Sequence, residues 1–174
     1  MAAVQEALRL EGITKVYPNG VVANRDVNFS VRVGEIHALS GENGAGKTTL
    51  MKILFGEEKP TDGEIFIHQT KVSISSPSAA IRLGIGLVHQ HFMLVPSLTV
   101  TENLILGMEP VKGLRIDERK AREQVSAISK KYHLIVDPDA KIRDLTVGQK
   151  QKVEILKTLL RITKIGRASC RERV

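Results

Sequence analysis

Apolar positions along the chain follow two periodicities, and their order outlines a fold. Ala7–Val16 alternates imperfectly and predicts a strand ending at the turn Pro18-Asn19-Gly20. From 27 to 33 the alternation is strict. Val27, Phe29, Val31 and Val33 share one face while Asn28, Ser30 and Arg32 share the other, the pattern of a half-buried antiparallel strand. Gly34 breaks it. Ile36–Leu39 predicts a short apolar strand running into a glycine-rich loop, and Lys47–Phe55 predicts a helix closed by Gly56. Short strands are expected at Glu64–Ile67 and Lys71–Ile74, a short helix at Ser78–Leu83 stopped by Gly84, and another buried strand at Ile85–Val88. Thr99-Val-Thr-Glu102 fits a capping box opening a helix to about Leu106. Asp117 can cap a further helix, along which Ala121, Val125, Ile128 and Tyr132 form an apolar stripe. A last helix is expected from about Val147 to Leu160, with Val153, Leu156 and Leu160 on one face. Strands cluster early and helices late, an α/β pattern without internal repeat or low-complexity linker.

Composition narrows this picture. The 174 residues are 42% hydrophobic, which suits one domain with a real core. There is no Trp, and the other aromatics are Tyr17, Tyr132 and four Phe, so the core must be aliphatic. No apolar run approaches the roughly 18–20 residues that span a bilayer. Met1–Leu10 contains Glu6 and Arg9 and lacks a secretory apolar region, so a cytoplasmic protein is expected. A single cysteine, Cys170, supports neither a disulfide framework nor a metal cluster. The net charge of +7 has two readings, a nucleic-acid or membrane surface and an ordinary solvated surface. The basic residues are scattered beside acids, as in Asp117-Glu118-Arg119-Lys120, which favours the second. Part of the excess lies in Ile165–Val174, which holds three Arg and one Glu; without it the charge is +5. That segment lacks apolar periodicity and resembles translated sequencing adapter. Residues 162–174 are therefore expected to be a non-native tail, the alternative being a genuine basic tail.

Chemistry enters with Gly41-Glu-Asn-Gly-Ala-Gly46-Lys47-Thr48, which matches the P-loop pattern G-x-x-x-x-G-K-[ST]. Gly41, Gly44 and Gly46 let the backbone curl so that successive N–H groups, with Asn43 and Ala45 among the cofactor-binding positions, face one point at the start of a helix whose dipole adds positive potential. Lys47 supplies a mobile charge for β- and γ-phosphates. The Thr48 hydroxyl can complete a magnesium shell, and Thr49 follows in the same turn. The competing reading is a glycine-rich turn with an exposed lysine.

With these motifs in order, residues 8 to about 161 resemble the ATP-binding cassette (ABC) ATPases. The resemblance implies a P-loop NTPase with an N-terminal antiparallel β subdomain and an α-helical subdomain at about 93–160, its core sheet incomplete by truncation. Tyr17 lies where the family places an aromatic that stacks on adenine, although an edge-strand aromatic would look the same. Gln90, in Val-His-Gln-His-Phe, matches the Q-loop glutamine, which reaches the magnesium or the attacking water. His89 and His91 beside it read as solvated histidines rather than metal ligands. Leu145-Thr-Val-Gly-Gln149 resembles the ABC signature Leu-Ser-Gly-Gly-Gln. Thr146, Gly148 and Gln149 would then cap the γ-phosphate held by an opposing ATPase domain, with Val147 standing where the family has glycine. Gln90–Asn103 and Gln149–Lys157 are similar to the N-terminal half of the tandem ATPases of sugar and nucleoside importers.

That resemblance implies ATP and Mg2+ as cofactors and a peripheral position on the cytoplasmic face of the membrane. It also implies three partners: a second ATPase domain, permease subunits contacted through Gln90–Asn103, and indirectly a substrate-binding protein. No nucleic acid is expected. The alternative function is a soluble ABC ATPase acting on DNA or ribosomes. The family's Asp-Glu pair and histidine switch are not found, and neither Glu42 nor Asp144 is positioned to replace the missing base. The chain as given is therefore expected to lack ATPase activity and to be poorly soluble.

Overall fold

Alternating side chains yield strands where a neighbour can accept the backbone hydrogen bonds. The computed structural model describes residues 5–113 and 115–171, with side chains through Ile162 apart from Leu114. The chain divides into two compact units, one up to Ile85 and one from Gly86 onward. In the first, β1 (Glu6–Val16), β2 (Val22–Arg32), β3 (Asp62–Ile67) and β4 (Thr70–Val72) form an antiparallel sheet in the order β2-β1-β3-β4. This is the antiparallel β subdomain the sequence led one to expect.

Helix α1 (Lys47–Phe55) covers the sheet's apolar side through Leu50, Ile53 and Leu54, which sit one helical turn apart and are buried with Leu10, Ile13 and Ile65. It ends where expected, at Gly56 in the left-handed region, where a Cβ would lie 2.6 Å from the Ser76 backbone. Helix α2 (Pro77–Arg82) is capped by Ser76, whose Oγ accepts from Ala79 N.

The second unit is helical, with a two-stranded ribbon of β5 (Val111–Lys112) and β6 (Arg115–Ile116). Helix α3 (Val100–Ile105) opens on the predicted capping box, with both reciprocal bonds made between Thr99 and Glu102. Helix α4 (Glu118–Lys131) starts on Asp117, whose Oδ1 accepts from Lys120 N, and buries Ala121, Val125 and Ile128. A 3-10 turn at Ile142–Asp144 leads to α5 (Val147–Arg171), which contributes Val153, Leu156 and Leu160 to the core with Val100 and Leu104.

Two predicted strands do not form. Ile36–Leu39 and Ile85–Val88 lie outside every described ladder, with Ile36 99% exposed and Val88 45%. Their apolar pattern suits strands flanked on both sides, and among the described residues no segment pairs with either. Helix α5 also runs past the expected end at Leu160, since no proline interrupts it before Arg171. Of the tail expected at 162–174, residues 172–174 and all side chains beyond Ile162 lie outside the described residues.

Candidate functional site

The glycine-rich loop joins Leu39 to α1, and its last residue fixes how that helix begins. Gly46 is the N-cap at φ 81°, ψ 1°, and makes no side-chain cap bond. Without a Cβ it packs directly on β2: an added Cβ would stand 2.1 Å from Ala23 O and 2.7 Å from Asn24 Nδ2. The Asn24 amide, on a buried residue, donates to Gly46 O at 3.3 Å. Gly44 also has positive φ, at 87°, yet a Cβ there would meet nothing within 4 Å. Gly41, Glu42, Asn43, Gly44 and Ala45 are solvent-exposed, and Ala45 N closes a turn onto Glu42 O at 3.2 Å.

Lys47, Thr48 and Thr49 form the first turn of α1. Their N–H groups have no partner one turn back within the helix, as in any first turn. The Lys47 ammonium curls back over the loop and donates to Gly41 O and Glu42 O, each at 2.7 Å. First-turn amides without helical partners, a glycine-rich loop before them and a lysine reaching back over that loop are the donor set a polyphosphate needs, so the residues fit that group. Thr48 is exposed and offers one hydroxyl oxygen. Among the described residues no three His, Cys, Asp or Glu side chains cluster.

Tyr17 ends the β1–β2 hairpin in a closed turn, its N–H donating to Val21 O and its C=O accepting from Gly20 N, both at 2.9 Å. Its hydroxyl lies 3.5 Å from Thr49 Oγ1, which brings the aromatic candidate to the P-loop helix. Lys15 Nζ sits over the ring, 5.1 Å from its centroid, and is held by Glu58 at 3.0 Å and Lys59 O at 2.8 Å. The segment entering the loop is pinned at its start. Glu35 accepts from Arg32 N at 2.7 Å, and this bond, then His37, holds its carboxyl below the ordinary carboxylate value.

The remaining candidates lie in the second unit. Gln90 is exposed, in irregular backbone after the unpaired Ile85–Val88 segment. Thr146 directly precedes α5, and Gly148 and Gln149 form its first turn. Thr146 and Gln149 are already partners. The Thr146 N–H and hydroxyl donate to Gln149 Oε1 at 2.9 and 3.0 Å, and Gln149 N donates to Thr146 Oγ1 at 3.4 Å. This is a second capping box, the same arrangement as Thr99 and Glu102. Its signal, a threonine three residues before a glutamine at a helix start, was present in the sequence but unrecognised. Val147 is 70% exposed and no atom crowds Gly148, so this helix start faces solvent.

Sequence reasoning also missed Asn103, which is fully buried. It accepts from Val95 N at 2.7 Å and donates to Val95 O at 3.1 Å and Thr99 O at 3.0 Å, anchoring the segment after Gln90.

Comparison with known proteins gives a consistent answer. A family profile described as ABC transporter matches residues 24–166. The guanosine import ATP-binding protein NupO of Bacillus subtilis is 52% identical over 158 residues, covering 91% of this chain and 31% of that protein. The nucleoside import ATP-binding protein NupA of Lactococcus lactis is 52% identical over 159 residues, again 91% and 31%. The ribose import ATP-binding protein RbsA 3 of Rubrobacter xylanophilus is 44% identical over 156 residues. The chain thus spans about a third of the length of the curated relatives it matches. Among solved structures, a nucleotide-free ATP-binding cassette from an ABC transporter superposes with a TM-score of 0.74 at 28% identity, covering 90% of this chain and 65% of that one. The dimeric structure of a bacterial ABC transporter cassette gives 0.70 at 29%, covering 88% and 69%.

Proposed function

The chain belongs to the ATP-binding domain family of ABC transporters, and from that footing we propose that it binds ATP with magnesium at Gly41–Thr49 and couples ATP use to import of a nucleoside or a sugar. The observation that carries the nucleotide reading is the start of α1: a left-handed glycine N-cap, no side-chain cap, and Lys47 held on two loop carbonyls. Nucleoside and sugar import are named for the relatives that align over nine-tenths of this chain.

Each residue then has a defined task. The loop and first-turn amides take the phosphate oxygens. Lys47 leaves Gly41 O and Glu42 O for the β- and γ-phosphates, exchanging neutral acceptors for charged ones. Tyr17, placed by its turn and by its contacts with Lys15 and Thr49, would stack on the adenine. Thr48 would help hold the magnesium, which offsets charge on the phosphates. Thr146, Gly148 and Gln149 would meet the γ-phosphate bound by a second ATPase domain. That contact requires the Thr146 hydroxyl to exchange its bond to Gln149 for one to phosphate. Gln90–Asn103 would touch the permease from the cytoplasmic face, where the protein sits peripherally. Among the described residues no helix is long and apolar enough to cross a membrane.

Titration with a fluorescent ATP analogue tests the nucleotide reading. Lys47→Ala should weaken binding about a hundredfold or more, the loss of two charge-assisted bonds of roughly 1.5–3 kcal/mol each. Unchanged affinity would count against it. Uptake of labelled nucleoside and sugar by the full-length protein with its permease tests the import reading, and salt-sensitive DNA retention without uptake would replace it.

A further inference from the structure

Helix α5 carries a second stripe beside its apolar one. Glu154, Lys157, Thr158 and Arg161 follow at i, i+3, i+4 and i+7, and each bonds backbone outside the helix. Thr158 Oγ1 donates to Leu87 O at 3.3 Å, and an Arg161 guanidinium nitrogen donates to Leu106 O at 3.3 Å. Between these, both peptide groups of Met93 are taken by two side chains of opposite charge. Glu154 Oε2 accepts from Met93 N at 3.2 Å, and Lys157 Nζ donates to Met93 O at 2.5 Å.

Glu154 is 3% exposed, a carboxylate buried with a backbone amide in front of it and a lysine one turn on. Burial also lowers the Lys157 pKa, against the pull of Glu154. A carboxyl group buried this deeply is an expensive way to hold a turn unless the turn's position matters. The Met93 side chain itself stays 59% exposed, beside exposed Phe92 and Val95, so the grip is on the backbone alone.

We propose that Glu154 and Lys157 are positioning residues that clasp the Met93 peptide groups and so tie the segment after Gln90 to the helix whose first turn carries Thr146–Gln149. A displacement of that segment is then passed to α5, and the reverse holds. The coupling role rests on the import reading above; the clasp does not.

Two measurements on the full-length protein separate them. Hydrogen exchange at the Met93 amide reads the clasp directly. Glu154→Ala should speed it at least tenfold, Glu154→Gln much less because its Oε1 still accepts, and Lys157→Met, at a partly exposed site, should leave the fold intact. Exchange at Met93 unchanged in Glu154→Ala overturns the clasp. Solute moved per ATP hydrolysed, measured with the permease in vesicles, reads the role. Glu154→Ala and Lys157→Met should lower it several-fold at unchanged nucleotide affinity. The charge-exchanged double variant Glu154→Lys, Lys157→Glu should not restore it, because an N–H needs an acceptor and a C=O a donor at their own positions. Restoration by exchange, or coupling within twofold of the parent in both single variants, overturns the positioning role. A parent that hydrolyses ATP but moves no solute refutes the import reading and the coupling role together, and the exchange result still decides the clasp.

Discussion

Gly46→Ala compared with Gly44→Ala tests the architecture of the P-loop, because the two glycines share a backbone conformation and differ in surroundings. Both have φ near +80–90°, at 81° and 87°. A left-handed alanine costs roughly 1–2 kcal/mol at either site. At Gly44 nothing more is lost, since no atom lies within 4 Å of the new Cβ. At Gly46 the Cβ would fall 2.1 Å from Ala23 O, a separation that real Cβ atoms do not show. The loop must therefore retreat from β2 by on the order of 1 Å, an overpacking that adds about 1–3 kcal/mol. The same retreat displaces the first-turn amides of α1. Hydrogen bonds near 2.9 Å do not survive a shift of that size, so two lost phosphate bonds predict a fall in affinity of about a hundredfold or more. Urea denaturation should place Gly46→Ala about 2–5 kcal/mol below the parent, and Gly44→Ala about 1–2 kcal/mol below it. Fluorescent ATP-analogue titration should find near-parent binding in Gly44→Ala and very weak binding in Gly46→Ala. Equal affinities in the two variants would refute the claim that Gly46 is required for its close packing on β2.

Further outcomes follow from the second unit. Asn103→Ala strips the partners from Val95 N, Val95 O and Thr99 O inside a fully buried site, and should cost about 2–4 kcal/mol in urea denaturation. A loss below 0.5 kcal/mol would show that water replaces the amide. Thr99→Ala removes one half of the α3 capping box and should cost about 1 kcal/mol. The Thr99 N–H and hydroxyl hold the Glu102 carboxyl below its usual 4.5. A depressed carboxyl stabilises the fold above its unfolded value and loses that contribution as pH falls through the folded value. Helicity should therefore decline on acidification below pH 4.5, and Thr99→Ala should lessen the decline in circular dichroism without removing it, because the Thr99 N–H that contributes most to the shift remains. The contribution is small because Glu102 is exposed to screening.

What the sequence determined by itself is local. The strict alternation before Gly34, the helix between Gly46 and Gly56, the capping box at Thr99 and the stripe from Ala121 to Ile128 depend on near neighbours, and the structure forms each of them. The P-loop was legible for the same reason, since its chemistry is a run of adjacent amides. Tertiary structure decided the rest. Ile36–Leu39 and Ile85–Val88 have strand patterns but no ladder, because a strand is defined by a partner that its own residues do not encode. Gly46 is indispensable through Ala23 and Asn24, residues more than twenty positions earlier. Glu154 and Lys157 looked like an ordinary polar face of α5, and only packing showed them gripping Met93, about sixty residues away. Periodicity tells which side of a helix is apolar, but whether its polar side meets water or another stretch of backbone is settled only when the chain folds.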